Sequence, residues 1–182
     1  MATASARPQA AVMTSLTPTL ATSGDAPVLD HLDFLCRVRI RGDHTAGTLA
    51  VVEERGRQGC QTPRHVHDRE AETFVVLDGA LEGWCEGTAH LVESGSMLHL
   101  PPRREHAFRV VSSSAHFLTL ISPAGFEGFF EATGTVVDQP FDGELPVPGP
   151  VPPEAVERLV EALVPYACTI TGPPPFEGVT TG

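Results

Sequence analysis

Apolar and polar positions alternate through the middle of this chain. Over residues 32–41, Phe34, Cys36, Val38 and Ile40 fall on one side of an extended backbone and Leu35, Arg37, Arg39 and Arg41 on the other, which is the period of a half-buried β-strand. Gly42 and Asp43 break that strand, residues 47–53 (GTLAVVE) form a second, and the charged run 54–59 reads as a loop. Strand-like segments then follow at 62–67, 72–77, 81–86, 89–93, 96–100, 106–111 and 116–122. A rhythm of about 8 to 12 residues between turn signals belongs to a sandwich or barrel. Asp78-Gly79 is the strongest hairpin signal, because glycine takes the positive φ at which such a turn reverses, and Pro101-Pro102 ends a strand by removing backbone donors.

Beyond the strands the period changes. Phe126, Phe129 and Phe130 in residues 125–132 (GFEGFFEA) suit a short helix capping one end of the barrel. Four prolines hold 136–151 as a loop, and Pro152-Pro153-Glu154 opens a second helix to about Tyr166, with Val156, Leu159, Val160 and Leu163 on one face. The tail from Gly172 is a non-helical end. The expected organisation is therefore all-β and single-domain: a flexible arm at 1–28, a barrel at 29–135, and at 136–182 a proline-rich loop, helix and tail packed on the barrel.

Composition agrees with short strands and turns: 182 residues hold seventeen Gly and seventeen Pro, enough length for one core. A formal net charge of −11, with all twelve basic residues Arg, argues against nucleic acid and anionic membranes as partners, since phosphate recognition needs clustered cations. There is no apolar run of about 18 residues and the first 24 lack a continuous apolar signal core, so a cytoplasmic protein is the simplest reading; Met13 is an alternative start. Cys36, Cys60, Cys85 and Cys168 show no C-x-x-C pairing and read as free thiols in a reducing compartment.

The chemistry concentrates in residues 59–79 (GCQTPRHVHDREAETFVVLDG) and 95–106 (GSMLHLPPRREH). His65 and His67 are two apart and share one face of a strand; Glu72 is an odd step further on, so a turn or bulge must intervene before it can face the same way. His106 arrives from a later strand. Three imidazoles and one carboxylate suit a divalent first-row ion and leave about one positive charge on it, enough to favour an anionic oxygen ligand. Glu70 reads as a solvated loop charge, Arg103 and Arg104 as a solvated loop, and His99 and His116 as hydrogen-bonded or exposed. His31, His44 and His90 attract no role. Phe74, Val76, Trp84, Phe108, Phe117 and Leu120 are core positions that could also line a pocket.

The full string resembles the cupin family, whose first motif runs G-x5-H-x-H-x4-E-x6-G: Gly59, His65, His67, Glu72 and Gly79 meet every position. The second motif, G-x5-P-x-G-x2-H-x3-N, is met by Gly95, Pro101 and His106, with Arg103 in place of the turn glycine and Val110 in place of asparagine. Within that family, FLCRVRI, AGTLAVVE, SPAGFEGFFEATG and the closing helix are similar to small single-domain quercetin-2,3-dioxygenase-like cupins. The resemblance implies a double-stranded β-helix, a closed jelly-roll barrel with one divalent transition metal ion (Ni, Mn, Fe, Co, Cu or Zn) in its mouth, held by His65, His67, Glu72 and His106. It also implies a dioxygenase acting on a small aromatic or enolisable molecule, in which Glu72 ligates or takes the proton of a substrate hydroxyl as general base and the resulting enolate reacts with O2. Alternatives are a non-redox isomerase, cyclase or lyase and, last, a small-molecule-binding module without catalysis. Cupins commonly pair through sheet edges, so a homodimer is the expected assembly.

Overall fold

The strands gather into two antiparallel sheets because each carries one apolar face to bury. The computed structural model describes residues 17–22, 24–150 and 152–176. Within them run β1 (Leu29–His31), β2 (Phe34–Ile40), β3 (Ala50–Arg57), β4 (Arg64–His67), β5 (Ala71–Asp78), β6 (Ala80–Cys85), β7 (Thr88–Glu93), β8 (Met97–Leu100), β9 (His106–Val110), β10 (Ser114–Ser122), β11 (Thr135–Val136) and β12 (Cys168–Gly172), with helices α1 (Glu127–Thr133) and α2 (Pro153–Leu163). One sheet has the order β11-β1-β2-β3-β10-β5-β8 and the other β12-β4-β9-β6-β7, the double-sheet jelly roll that the family resemblance implies.

β10 shows how the alternation works. Ala115, Phe117, Thr119 and Ile121 are buried, while the residues between them are half-buried on the outer face. It pairs with β3 on one side and β5 on the other, at the centre of the larger sheet. Between the sheets Phe34, Phe74, Phe108 and Phe117 meet with ring centroids 4.8 to 6.2 Å apart, mostly tilted or edge-on. Gly79, at φ +77°, closes the β5–β6 hairpin where a Cβ would stand 2.1 Å from the Ser114 carbonyl oxygen.

Several expectations need correction. Residues 54–57 are strand, not loop: β3 continues to Arg57 because its charges find partners. Glu53 is bonded by Arg37 Nε at 2.8 Å and by the His116 ring at 2.8 Å, while Arg55 and Arg57 donate to the carbonyls of Phe141 and Leu145. Those carbonyls belong to the proline-rich segment, which lays Phe141 and Leu145 over Leu35 and buries the outer face of β2 that alternation had left half in water. Cys168–Gly172, to which the pattern assigns no element, is a strand, and Leu29–His31 is another; both are too short for their own period to show. On α2, Leu159 and Leu163 pack inward with Tyr166, whereas Val156 and Val160 face solvent. Among the described residues no helix is long and apolar enough to cross a membrane. The 1–16 part of the expected arm lies outside the described residues.

Candidate metal centre

β4 supplies two of the four candidate donors. His65 and His67 share its inner face, with His65 directly opposite His106 on β9. On its other edge β12 sets Ile170 opposite His65 and Cys168 opposite His67. Glu72 arrives from the other sheet: the chain turns after His67, crosses, and enters β5, where Glu72 lies opposite Ile121 of β10 and Leu100 of β8. The odd sequence step is resolved by this crossing. Three histidines on one sheet thus face one glutamate on the other.

One donor atom from each of His65, His67, Glu72 and His106 lies within 4.8 Å of the others. His106 Nε2 is 3.1 Å from Glu72 Oε2, and His67 Nε2 is 3.7 Å from Glu72 Oε1. His65 Nδ1 sits 2.9 Å from the Pro63 carbonyl and His106 Nδ1 2.9 Å from the Arg104 carbonyl. A carbonyl can only accept, so Nδ1 carries a proton in both rings; the Nε2 of His65 turns a lone pair inward, while the Nε2 of His106 donates to Glu72 and would offer its lone pair to an ion on giving up that proton. The donor set therefore fits a first-row divalent ion in both ligand type and orientation.

Charge in the cluster follows from its neighbours. Burial would raise the Glu72 carboxyl, but His67, the hydrogen bond from His106 and the charge of His65 and His106 outweigh it and bring it down to about 2. Burial, reinforced by the other two imidazoles, lowers His65 to about 3. His106 is raised despite its burial, because it bonds Glu72.

The turn before His106 keeps its shape without glycine. Arg103 adopts φ +61°, and its N–H donates to the His67 carbonyl at 2.8 Å, tying the two ligand strands together. A left-handed non-glycine residue stores roughly 1–2 kcal/mol of strain. Arg103 and Arg104 themselves are exposed, Arg104 pairing with Glu86. Val110, in place of the usual asparagine, is core.

Above the cluster lies a cavity of about 70 Å³. Its walls are apolar, from Phe34, Phe74 and Phe108 of the barrel and Phe126, Phe129 and Leu163 of the helical cap, with His65 and Glu72 at one end. Of the expected pocket residues, Phe74 and Phe108 line it, Val76 and Phe117 are buried in the core, and Trp84 and Leu120 do neither. His31, given no role by sequence, also lines it, held by Thr133 Oγ1 at 2.9 Å. His99 and His116 bond Thr73 and Glu53 as expected.

Two glutamates depart from their expected places. Glu54 points into the cavity wall, buried, with Thr119 Oγ1 donating to it at 2.5 Å; burial is the main cause that raises it to about 8. Only its place in an odd-even count on a longer β3 could have revealed it. Glu70 is 2% exposed rather than solvated, because the turn between β4 and β5 folds under the cap beside His67.

The cupin domain model matches residues 52–121. The chain is a member of the cupin superfamily. Its cupin fold is also that of solved structures at low identity. An RmlC-like cupin from Shewanella frigidimarina is 15% identical, with TM-score 0.53, over 62% of this chain and 96% of that one. A predicted oxalate decarboxylase from Thermotoga maritima is 13% identical, with TM-score 0.52, over 58% and 99%. The nucleoside dehydratase Pac13 is 16% identical, with TM-score 0.52, over 66% and 92%. Among characterised relatives, quercetin 2,3-dioxygenase of Bacillus subtilis is 28% identical over 148 residues, 80% of this chain. The chain spans 42% of that relative's length.

Proposed function

We propose that this cupin is a metal-dependent, quercetinase-like dioxygenase acting on a small aromatic or enolisable molecule. The observation that carries the reading is the convergence of His65, His67, Glu72 and His106 at the end of a phenylalanine-lined cavity, in a chain similar over most of its length to a quercetin dioxygenase. His65, His67, Glu72 and His106 would hold the ion. When bound, a divalent ion supplies a centre of single net positive charge that favours an anionic substrate oxygen and, for a redox-active metal, an electron path to O2.

The protein's own groups do the rest. The phenyl walls exclude water and hold a flat ring by stacking. Glu72 is the carboxylate at the cavity end and takes the proton of an acidic substrate hydroxyl, leaving an electron-rich enolate to react with O2. Glu54, a neutral acid at neutral pH, offers a hydrogen bond to a second substrate oxygen. A cavity of about 70 Å³ is far below the usual ~300–1,000 Å³ of ligand pockets, so a single-ring substrate is favoured and a three-ring flavonol enters only if the cap formed by α1 and α2 shifts.

The test is metal analysis of the purified protein followed by O2 uptake with small phenols, enolisable ketones and a flavonol. O2 consumption that disappears after chelation and returns with one metal is the expected result. Glu72→Gln is expected to keep much of the metal and lose turnover; full turnover in that variant removes Glu72 as the base. A second reading, a non-redox isomerase, cyclase or lyase, is supported by the pairing of an ionised Glu72 with a protonated Glu54 along one wall. Turnover that continues without O2 would decide for it.

A further inference from the structure

The three histidines of the centre are not held alike. His65 and His106 each have Nδ1 at 2.9 Å from a backbone carbonyl, which fixes ring and tautomer together. His67 has no such support: its Nδ1 is buried and without a hydrogen-bond partner. The group that faces it is Glu70, whose Oε2 lies 3.9 Å away. Oε2 of Glu70 is likewise buried and without a hydrogen bond. Arg69 stands 3.0 Å from Glu70 Oε1 and balances its charge from the solvent side, which leaves Oε2 turned toward the imidazole.

A buried donor and a buried acceptor left unmade cost roughly 1–3 kcal/mol each, and these two face one another across a gap about 1 Å longer than a hydrogen bond. Side-chain torsion alone can close that gap. We propose that Glu70 is the positioning residue of His67, accepting a hydrogen bond from Nδ1–H when Nε2 is engaged by the metal ion. This rests on the metal reading above. It makes the His67 support the only one of the three that comes from a side chain, so the orientation of one ligand is set by a residue outside the four donors. Such outer partners fix the tautomer and raise ligand basicity, and their loss typically costs about 10–100-fold in metal affinity.

The test is Co(II) titration of the metal-free protein by calorimetry and visible absorption, for wild type, Glu70→Leu and Glu70→Gln. Zn(II)-loaded wild type is examined in parallel by ¹⁵N NMR of the imidazoles. Glu70→Leu is expected to bind Co(II) at least about 10-fold more weakly with an altered visible spectrum. Glu70→Gln, whose amide oxygen still accepts, is expected to recover a measurable part of that loss. In Zn(II)-loaded wild type the His67 Nδ1 proton is expected to be present and protected from exchange. An affinity in Glu70→Leu within threefold of wild type, equal losses in both variants, or an exchanging His67 Nδ1 proton overturns the assignment. Should Glu70→Leu fail to fold, the wild-type NMR result decides alone. A wild type that binds neither ion overturns the metal reading and this one with it, whereas binding that ignores Glu70 overturns only this one.

Discussion

Glu72 and Glu54 stand on β5 and β3, the two strands that flank β10, and both point into the same interior. Both are buried, yet one is brought down to about 2 and the other raised to about 8. Burial pushes each carboxyl up, so burial cannot be the difference. Glu72 lies among three imidazoles, one of them 3.1 Å away, whereas Glu54 lies between Thr119, the Cys36 thiol and phenyl walls, with no ion-pair partner among the described residues. The interior thus has an ionic end and an aromatic end. What a glutamate does in it is decided by its neighbours, and a site with both forms can hold an anion and donate a proton in the same volume.

The sharpest way to break this division is to disturb each end and ask whether the other notices. Phe74→Ala empties the aromatic end and is expected to destabilise the protein by about 3–5 kcal/mol in denaturant titration, while the folded variant still binds one Co(II). Lost metal binding in the folded variant would show that the two ends are one unit. His106→Ala should do the converse: more than about 100-fold weaker Co(II) binding by calorimetry, with a smaller shift in the metal-free denaturation midpoint than Phe74→Ala produces.

The pH dependence of stability sharpens the comparison. Glu54 is raised above its ordinary 4.5 to about 8, so between those values the folded state holds a proton that the unfolded state has lost. Its contribution is complete below pH 4.5 and is lost as pH rises to about 8, with a slope of up to about 1.4 kcal/mol per pH unit. Glu54→Gln, which cannot ionise, is expected to flatten that fall when unfolding is measured from pH 5 to 8.5. An unchanged slope would mean that Glu54 is already ionised. The smallest effect concerns the turn that joins the ligand strands: Arg103→Gly should raise stability by about 1 kcal/mol in thermal melts and leave Co(II) affinity unchanged, since only the backbone N–H of residue 103 reaches His67.

Much of the fold was legible because its signals are local. Period two on β2 and β10, the glycine of the β5–β6 turn and the prolines after β8 are each read within a few residues. β12 was not: five residues are too few to show a period, and its strand character comes from the free edge of β4. The same holds for the end of β3, where Arg55 and Arg57 read as loop until the carbonyls of Phe141 and Leu145 supplied partners. Val156 and Val160 looked like core for the opposite reason, since an apolar period cannot tell which face the tertiary fold will cover.

By itself the sequence determined the alternating strands and the four donors that converge, because side-chain direction along a strand and the order of His65, His67, Glu72 and His106 are properties of the chain. Only the tertiary structure decided that the histidines and Glu72 come from opposite sheets, that Glu54 is a neutral acid in the cavity wall, and that Glu70 lies under His67. Desolvation and charge pairing depend on groups far apart in sequence, and these exist only once both sheets have closed.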